Sequence, residues 1–110
     1  MKSANLYKGT LATIILKLLS ESDKLYGYEI VKKVKEITKG ELEITEGALY
    51  PTLHKLEANG WVVTEKVSVG KRVRKYYKLT KSGVKETEEK IEELMAFLSS
   101  MYEIFEKTTV

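Results

Sequence analysis

At 110 residues the chain has the length of one packed unit rather than of a two-domain enzyme. With 43% hydrophobic and 32% charged residues and a single proline, it has enough apolar surface for a core and lacks the composition of a disordered chain. It contains no cysteine, which excludes disulfides, thiolate metal sites and cysteine nucleophiles. The net charge of +3 hides an asymmetry, because residues 66–81 hold seven basic and no acidic side chains while residues 21–65 and 82–110 are each net acidic. The seven are Lys66, Lys71, Arg72, Arg74, Lys75, Lys78 and Lys81, and they include both arginines of the protein. Such a stripe on an acidic body predicts a polyanion partner; the plainer alternative is a solvated hairpin kept soluble by lysine.

In chain order, residues 1–5 lack an apolar stretch ahead of a cleavage site. The most apolar segment, residues 11–19, is too short to span a bilayer and carries Lys17, so the expectation is a soluble, cytoplasmic protein without a membrane partner. Leu11, Ile14, Ile15, Leu18 and Leu19 recur at three- and four-residue steps and predict a first helix over residues 10–20. After the polar break Ser22-Asp23-Lys24, Ile30, Val34 and Ile37 mark a second helix over about residues 26–38, ended by Lys39-Gly40. Thr45 is a suitable N-cap for a third helix that runs to Asn59 and stops at Gly60. Pro51 removes one of its backbone bonds, which predicts a bend or a start nearer Gly47.

On a helical wheel Leu49, Leu53 and Leu56 share one side of this helix, and Gly47, Tyr50, Pro51, His54, Lys55 and Ala58 share the other. The strands expected next are Trp61-Val62-Val63-Thr64 and residues 73–79, joined through Ser68-Val69-Gly70-Lys71-Arg72 into a hairpin with a basic tip. Thr80 opens a last helix to about Lys107, with Val84, Ile91, Leu98 and Phe105 repeating at seven and Thr87, Leu94 and Met101 three residues after the first three. At ~1.5 Å per residue that helix is roughly 40 Å long, more than a small body needs to cover its core.

Three short helices followed by a basic hairpin make a mainly α fold with a small β-hairpin: a winged helix-turn-helix over residues 1–80, and one long C-terminal dimerisation helix over residues 81–110. An α-helix fits the DNA major groove and a cationic hairpin can lie along adjacent phosphates, so the third helix reads and the wing clamps. The reading residues are Thr45, Glu46, Gly47, Tyr50, Pro51, Thr52, His54 and Lys55, with Lys55 long enough for a phosphate or a guanine edge. The clamping residues are Lys66, Lys71, Arg72, Arg74, Lys75 and Lys78.

The chain resembles the PadR family of bacterial transcriptional regulators over nearly its whole length. The resemblance rests on Leu25-Tyr26-Gly27-Tyr28-Glu29-Ile30, on the run from Glu46 through Leu49-Tyr50-Pro51 to Gly60, and on the run from Lys71 through Tyr76-Tyr77 to Thr80. It implies a winged-helix homodimer, a recognition helix carrying Leu49-Tyr50-Pro51, and repression from a palindromic operator. The single C-terminal helix is similar to the short branch of the family, in which it packs against the partner subunit. That agrees with the seven-residue repeat, and the pairing residues are expected to be Val84, Ile91, Leu94, Met95, Leu98, Met101, Tyr102 and Phe105.

An enzyme finds little material here, and no catalytic residue, cofactor or metal is expected. The one histidine, His54, has Glu57 nearby but no third ligand, and Glu88-Glu89 and Glu92-Glu93 suit a solvated helix face. A winged helix that binds RNA or a protein partner in a transcription assembly is the rival reading. For some members the resemblance implies small aromatic effectors held between C-terminal helices by a tryptophan. Here that helix offers Phe97, Tyr102 and Phe105, and the only tryptophan is Trp61, expected in the core, so no small-molecule effector is identified.

Overall fold

The apolar periodicities become helices in the computed structural model, which describes residues 7–107; residues 1–5, with their expected lack of a leader, lie outside it. A 3-10 turn, Lys8–Thr10, leads into α1, Leu11–Ser20, followed by α2, Gly27–Ile37, α3, Glu46–Ala58, and α4, Lys81–Lys107. Three strands, β1 Leu25–Tyr26, β2 Val62–Val69 and β3 Arg72–Leu79, form an antiparallel sheet in the order β1-β3-β2. Ile15 and Leu16 of α1, Ile30 of α2, and Leu49, Leu53 and Leu56 of α3 meet Val62 and Tyr77 of the sheet in one core. Trp61 packs half-buried against that core. Ile37 was expected on the inward face of α2 but is exposed, because as the last helical residue it lies past the edge of the core.

The local chemistry accounts for the helix ends. Lys39 and Gly40 take positive φ, and the Gly40 amide donates to the Lys35 carbonyl at 2.8 Å, closing α2. The Thr45 hydroxyl accepts from the Ala48 amide at 3.2 Å and starts α3. α3 ends where Gly60 turns left-handed and the Trp61 amide donates back to the Leu56 carbonyl at 3.0 Å. α3 begins at Glu46 and runs through Pro51, which has no amide proton to offer the Gly47 carbonyl on the exposed side.

The hairpin is longer than expected. Alternating valines carry β2 on through Glu65 and Lys66 to Val69, and the turn shrinks to Gly70-Lys71. β1 was not expected at all. Its two residues are extended because they pair with β3, Leu25 with Tyr77 and Tyr26 with Tyr76. Thr80 caps α4: its amide donates to the Trp61 carbonyl, and its hydroxyl accepts from the Gly83 amide, both at 3.0 Å. Gly83 and Thr87 are buried as the first turns of α4 pack on the body, the helix then runs on beside α1, and its C-terminal end projects from a molecule 61 Å long and 30 by 21 Å across. Among the described residues, no helix is long and apolar enough to cross a membrane.

Candidate nucleic-acid interface

The structure exposes most of the expected outward side of α3, as the wheel predicts. Thr45, Glu46, Gly47, Pro51, His54 and Lys55 are exposed. Two assigned residues are placed differently. Thr52 is half-buried, and its hydroxyl donates to the Ala48 carbonyl at 2.9 Å, so its polar atom is engaged within its own helix. Tyr50 is 37% exposed and lays its phenol against the first residue of α2. A β-carbon on Gly27 would collide with the Tyr50 hydroxyl and stand 3.0 Å from its ring, so the glycine in Leu25-Tyr26-Gly27-Tyr28 makes room for the tyrosine in Leu49-Tyr50-Pro51.

The basic residues of the hairpin do not form one stripe. The register pairs Lys66 with Lys75 and Val67 with Arg74, and side chains alternate across a sheet. Lys66 and Lys75 therefore share one face, continuous with buried Tyr77, while Arg72, Arg74 and Lys78 share the other, and Lys71 sits in the turn. Lys66 directly opposite Lys75 is a repulsive cross-strand pair that a bound anion would relieve. Lys81 belongs to the first turn of α4.

The second face carries an aromatic and cationic layer that composition did not reveal. The Arg74 guanidinium lies 4.1 Å from the centre of the Tyr26 ring, and Tyr26 meets Tyr76 edge to face at 5.5 Å. Lys24 stands 4.8 Å over Tyr76 and bonds Glu65 at 3.0 Å, a contact that raises the lysine above its ordinary pKa. Tyr28 is 66% exposed beside this layer. Sequence reasoning gave Lys24, Tyr26 and Tyr28 no place in the site, although Tyr26 and Tyr28 carry the family resemblance; their layer becomes visible only once β1 is paired. On the opposite face Lys75 lies 5.5 Å from the Tyr77 ring, and burial still pushes the Tyr77 phenol up from its usual range.

Along α4 the expected pairing residues divide. Ile91, Leu94 and Met101 are half-buried, and Leu94 and Phe97 line a cleft with Gly9, Thr10 and Thr13 of the same chain. Val84, Met95, Leu98, Tyr102 and Phe105 are exposed, Leu98 at 47% and Phe105 at 61%. No group of three or more histidine or carboxylate side chains among the described residues is arranged to hold a metal ion.

The chain is similar in sequence and in fold to known proteins. The pattern of the transcriptional regulator PadR-like family matches residues 15–89. A transcriptional regulator from Clostridium thermocellum superposes with a TM-score of 0.80 at 31% identity, covering 98% of both chains. PadR of Bacillus subtilis, solved in complex with operator DNA, superposes with a TM-score of 0.66 at 32% identity, covering 73% of this chain and 45% of that one. The transcriptional regulator YqjI of Escherichia coli is 33% identical over 86 residues, which are 78% of this chain; the match spans about two fifths of that relative's length, 40%. A winged helix built on these residues, with a sequence match across the body from α1 into α4, places the chain in the PadR-like family of transcriptional regulators.

Proposed function

We propose that the chain is a DNA-binding transcriptional repressor that acts in the cytoplasm as a homodimer on a palindromic operator. The observation that carries this reading is the outward side of α3, with mostly small or uncharged residues among Gly47, Tyr50, Pro51, His54, Lys55 and Ala58, set beside a projecting cationic hairpin. A helix of that kind can enter the major groove, where Lys55 and His54 reach base edges or phosphates, while Lys66, Lys71 and Lys75 neutralise the backbone. Residues 1–80 do the reading and residues 81–110 the pairing, with the first turns of α4 also closing the core of the reading body.

The pairing surface is Val84, Leu98 and Phe105 with Met95 and Tyr102, a stripe of large apolar side chains that water meets in a single chain. Twofold pairing through it gives two copies of α3, which a twofold operator with half-sites about one turn (~34 Å) apart would accept. The Bacillus subtilis relative in complex with operator DNA supports the choice of duplex DNA over RNA.

Selection of bound duplexes from a random pool, followed by competition with random duplex and with RNA, tests the reading. The expected product is an inverted repeat that outcompetes both. Recovery of no preferred sequence, or stronger competition by RNA, would remove DNA reading from this chain.

A further inference from the structure

Three adjoining hollows on the surface, each open to solvent, share Tyr26 and Tyr28 and together outline one trough. Its middle, about 450 Å³ between Tyr28, Arg72 and Arg74, is flanked on one side by Tyr50 of α3 and on the other by Lys32 of α2. We propose that this trough seats the sugar–phosphate backbone of one DNA strand, with Tyr28 and Lys32 of α2 as phosphate contacts and Tyr26 as the residue that positions Arg74. The proposal rests on the DNA-binding reading above and adds to it a contact surface that the reading helix and the hairpin tip do not supply.

Several observations converge on this occupant. The trough is open along its length, whereas small-molecule sites enclose most of their ligand. Tyr50 borders it, so a duplex seated on α3 brings a backbone strand alongside, and in helix-turn-helix docking the helix before the reading helix crosses that backbone. Tyr28 is exposed on the first turn of α2, and Lys32 lies four residues on, on the same side of the helix. Arg72 and Arg74, two residues apart on one face of β3, stand about 7 Å from each other.

The Tyr26 ring holds the Arg74 guanidinium at 4.1 Å and Tyr76 hydrogen-bonds it, so a long side chain is fixed in place before binding. The acidic residue inside the trough, Glu29, already accepts the Tyr26 amide at 3.1 Å in the cap of α2. Glu36, at the far end, marks where the cationic track stops.

The test is fluorescence anisotropy of the intact chain with a labelled random-sequence duplex, titrated at several salt concentrations. Lys32→Ala is expected to flatten the slope of log affinity against log salt by about 0.9, the value for one phosphate contact. Tyr28→Phe is expected to weaken binding about three- to tenfold without changing that slope, since it removes one uncharged donor. Tyr26→Phe, which keeps the ring, should bind as the parent does, and Tyr26→Leu should lose as much as Arg74→Ala while its circular dichroism spectrum stays that of the folded parent.

Tyr28→Phe and Lys32→Ala that match the parent in affinity and slope would overturn the trough while leaving the DNA-binding reading intact. A parent chain that binds no duplex at all would instead remove the reading itself and the trough with it.

Discussion

Gly83 offers a test in which helix propensity and packing give opposite signs. Replacing a helical glycine by alanine gains at most about 1 kcal/mol from the backbone, and less in a first turn such as this one. Here the added β-carbon would fall inside the van der Waals envelope of the Trp61 carbonyl oxygen, 2.9 Å from the carbonyl carbon and 3.3 Å from a Leu79 methyl. The Trp61 backbone has little freedom to retreat. Its amide donates to Leu56, its carbonyl accepts from Thr80, both at 3.0 Å, and the adjoining Gly60 carbonyl accepts the Thr80 and Ser82 hydroxyls. Overpacking costs about 1–3 kcal/mol and a weakened backbone bond about 1 more, so Gly83→Ala is expected to lose about 1–3 kcal/mol net. For a domain of this size that lowers Tm by about 4–12 °C. Urea denaturation at fixed protein concentration should show a lower midpoint with an unchanged m-value, and Lys85→Ala, on the exposed side of the same turn, should stay near the parent. A Gly83→Ala chain more stable than the parent would refute the close approach and leave propensity as the only effect.

If the proposed dimer pairs through α4, placing charge in its apolar stripe should separate the subunits without unfolding them. Leu98→Glu with Phe105→Glu removes two side chains worth about 1.5–3 kcal/mol each when buried, so sedimentation should show a dissociation constant raised at least about 100-fold. An unchanged sedimentation profile would exclude this stripe as the pairing surface. Tyr77 sets an alkaline limit, because burial raises its folded pKa above the ~10 of the unfolded chain. The native state then binds the proton more tightly, so this contribution is complete below pH 10 and is lost as pH climbs from there through the folded value. Urea midpoints should fall above pH 10 in the parent and fall less steeply in Tyr77→Phe; parallel curves would show that Tyr77 is not the group responsible.

The helices were legible because burial on one side of a helix writes a 3.6-residue period into the sequence. Leu49, Leu53 and Leu56 therefore located both the core side of α3 and, by exclusion, the exposed side with Gly47, Pro51, His54 and Lys55. Thr45 and Gly60 bounded it by chemistry that acts within one turn. What the sequence hid depends on partners distant along the chain. β1 has only two residues and exists through its pairing with Tyr76 and Tyr77, so no local pattern could mark it. Summing charge over residues 66–81 ignored the two-residue alternation of strands, which sends Lys66 and Lys75 to one face and Arg72, Arg74 and Lys78 to the other. The Tyr50 phenol was free to point outward on a wheel, and only the approach of α2 shows it resting on Gly27.

In the proposed dimer the spacing of the two α3 helices would follow from how α4 is joined to α3. The Gly60 carbonyl, just past the end of α3, accepts the Thr80 hydroxyl at 2.7 Å and the Ser82 hydroxyl at 3.1 Å, and the Trp61 carbonyl accepts the Thr80 amide. Lys90, one turn beyond buried Thr87, lies 5.5 Å from the Trp61 ring. The end of α3, the base of the hairpin and the start of α4 are thus tied by one backbone bond and two hydroxyl-to-carbonyl bonds, with no β-carbon at Gly83 to hold them apart. From Gly83 to Phe105 is about 33 Å of continuous helix, so a change in the crossing angle of two paired α4 helices is carried to α3 with no flexible joint to absorb it. In the proposed dimer the α4 pairing geometry therefore sets half-site spacing, while the hairpin and trough set how strongly each half-site is held.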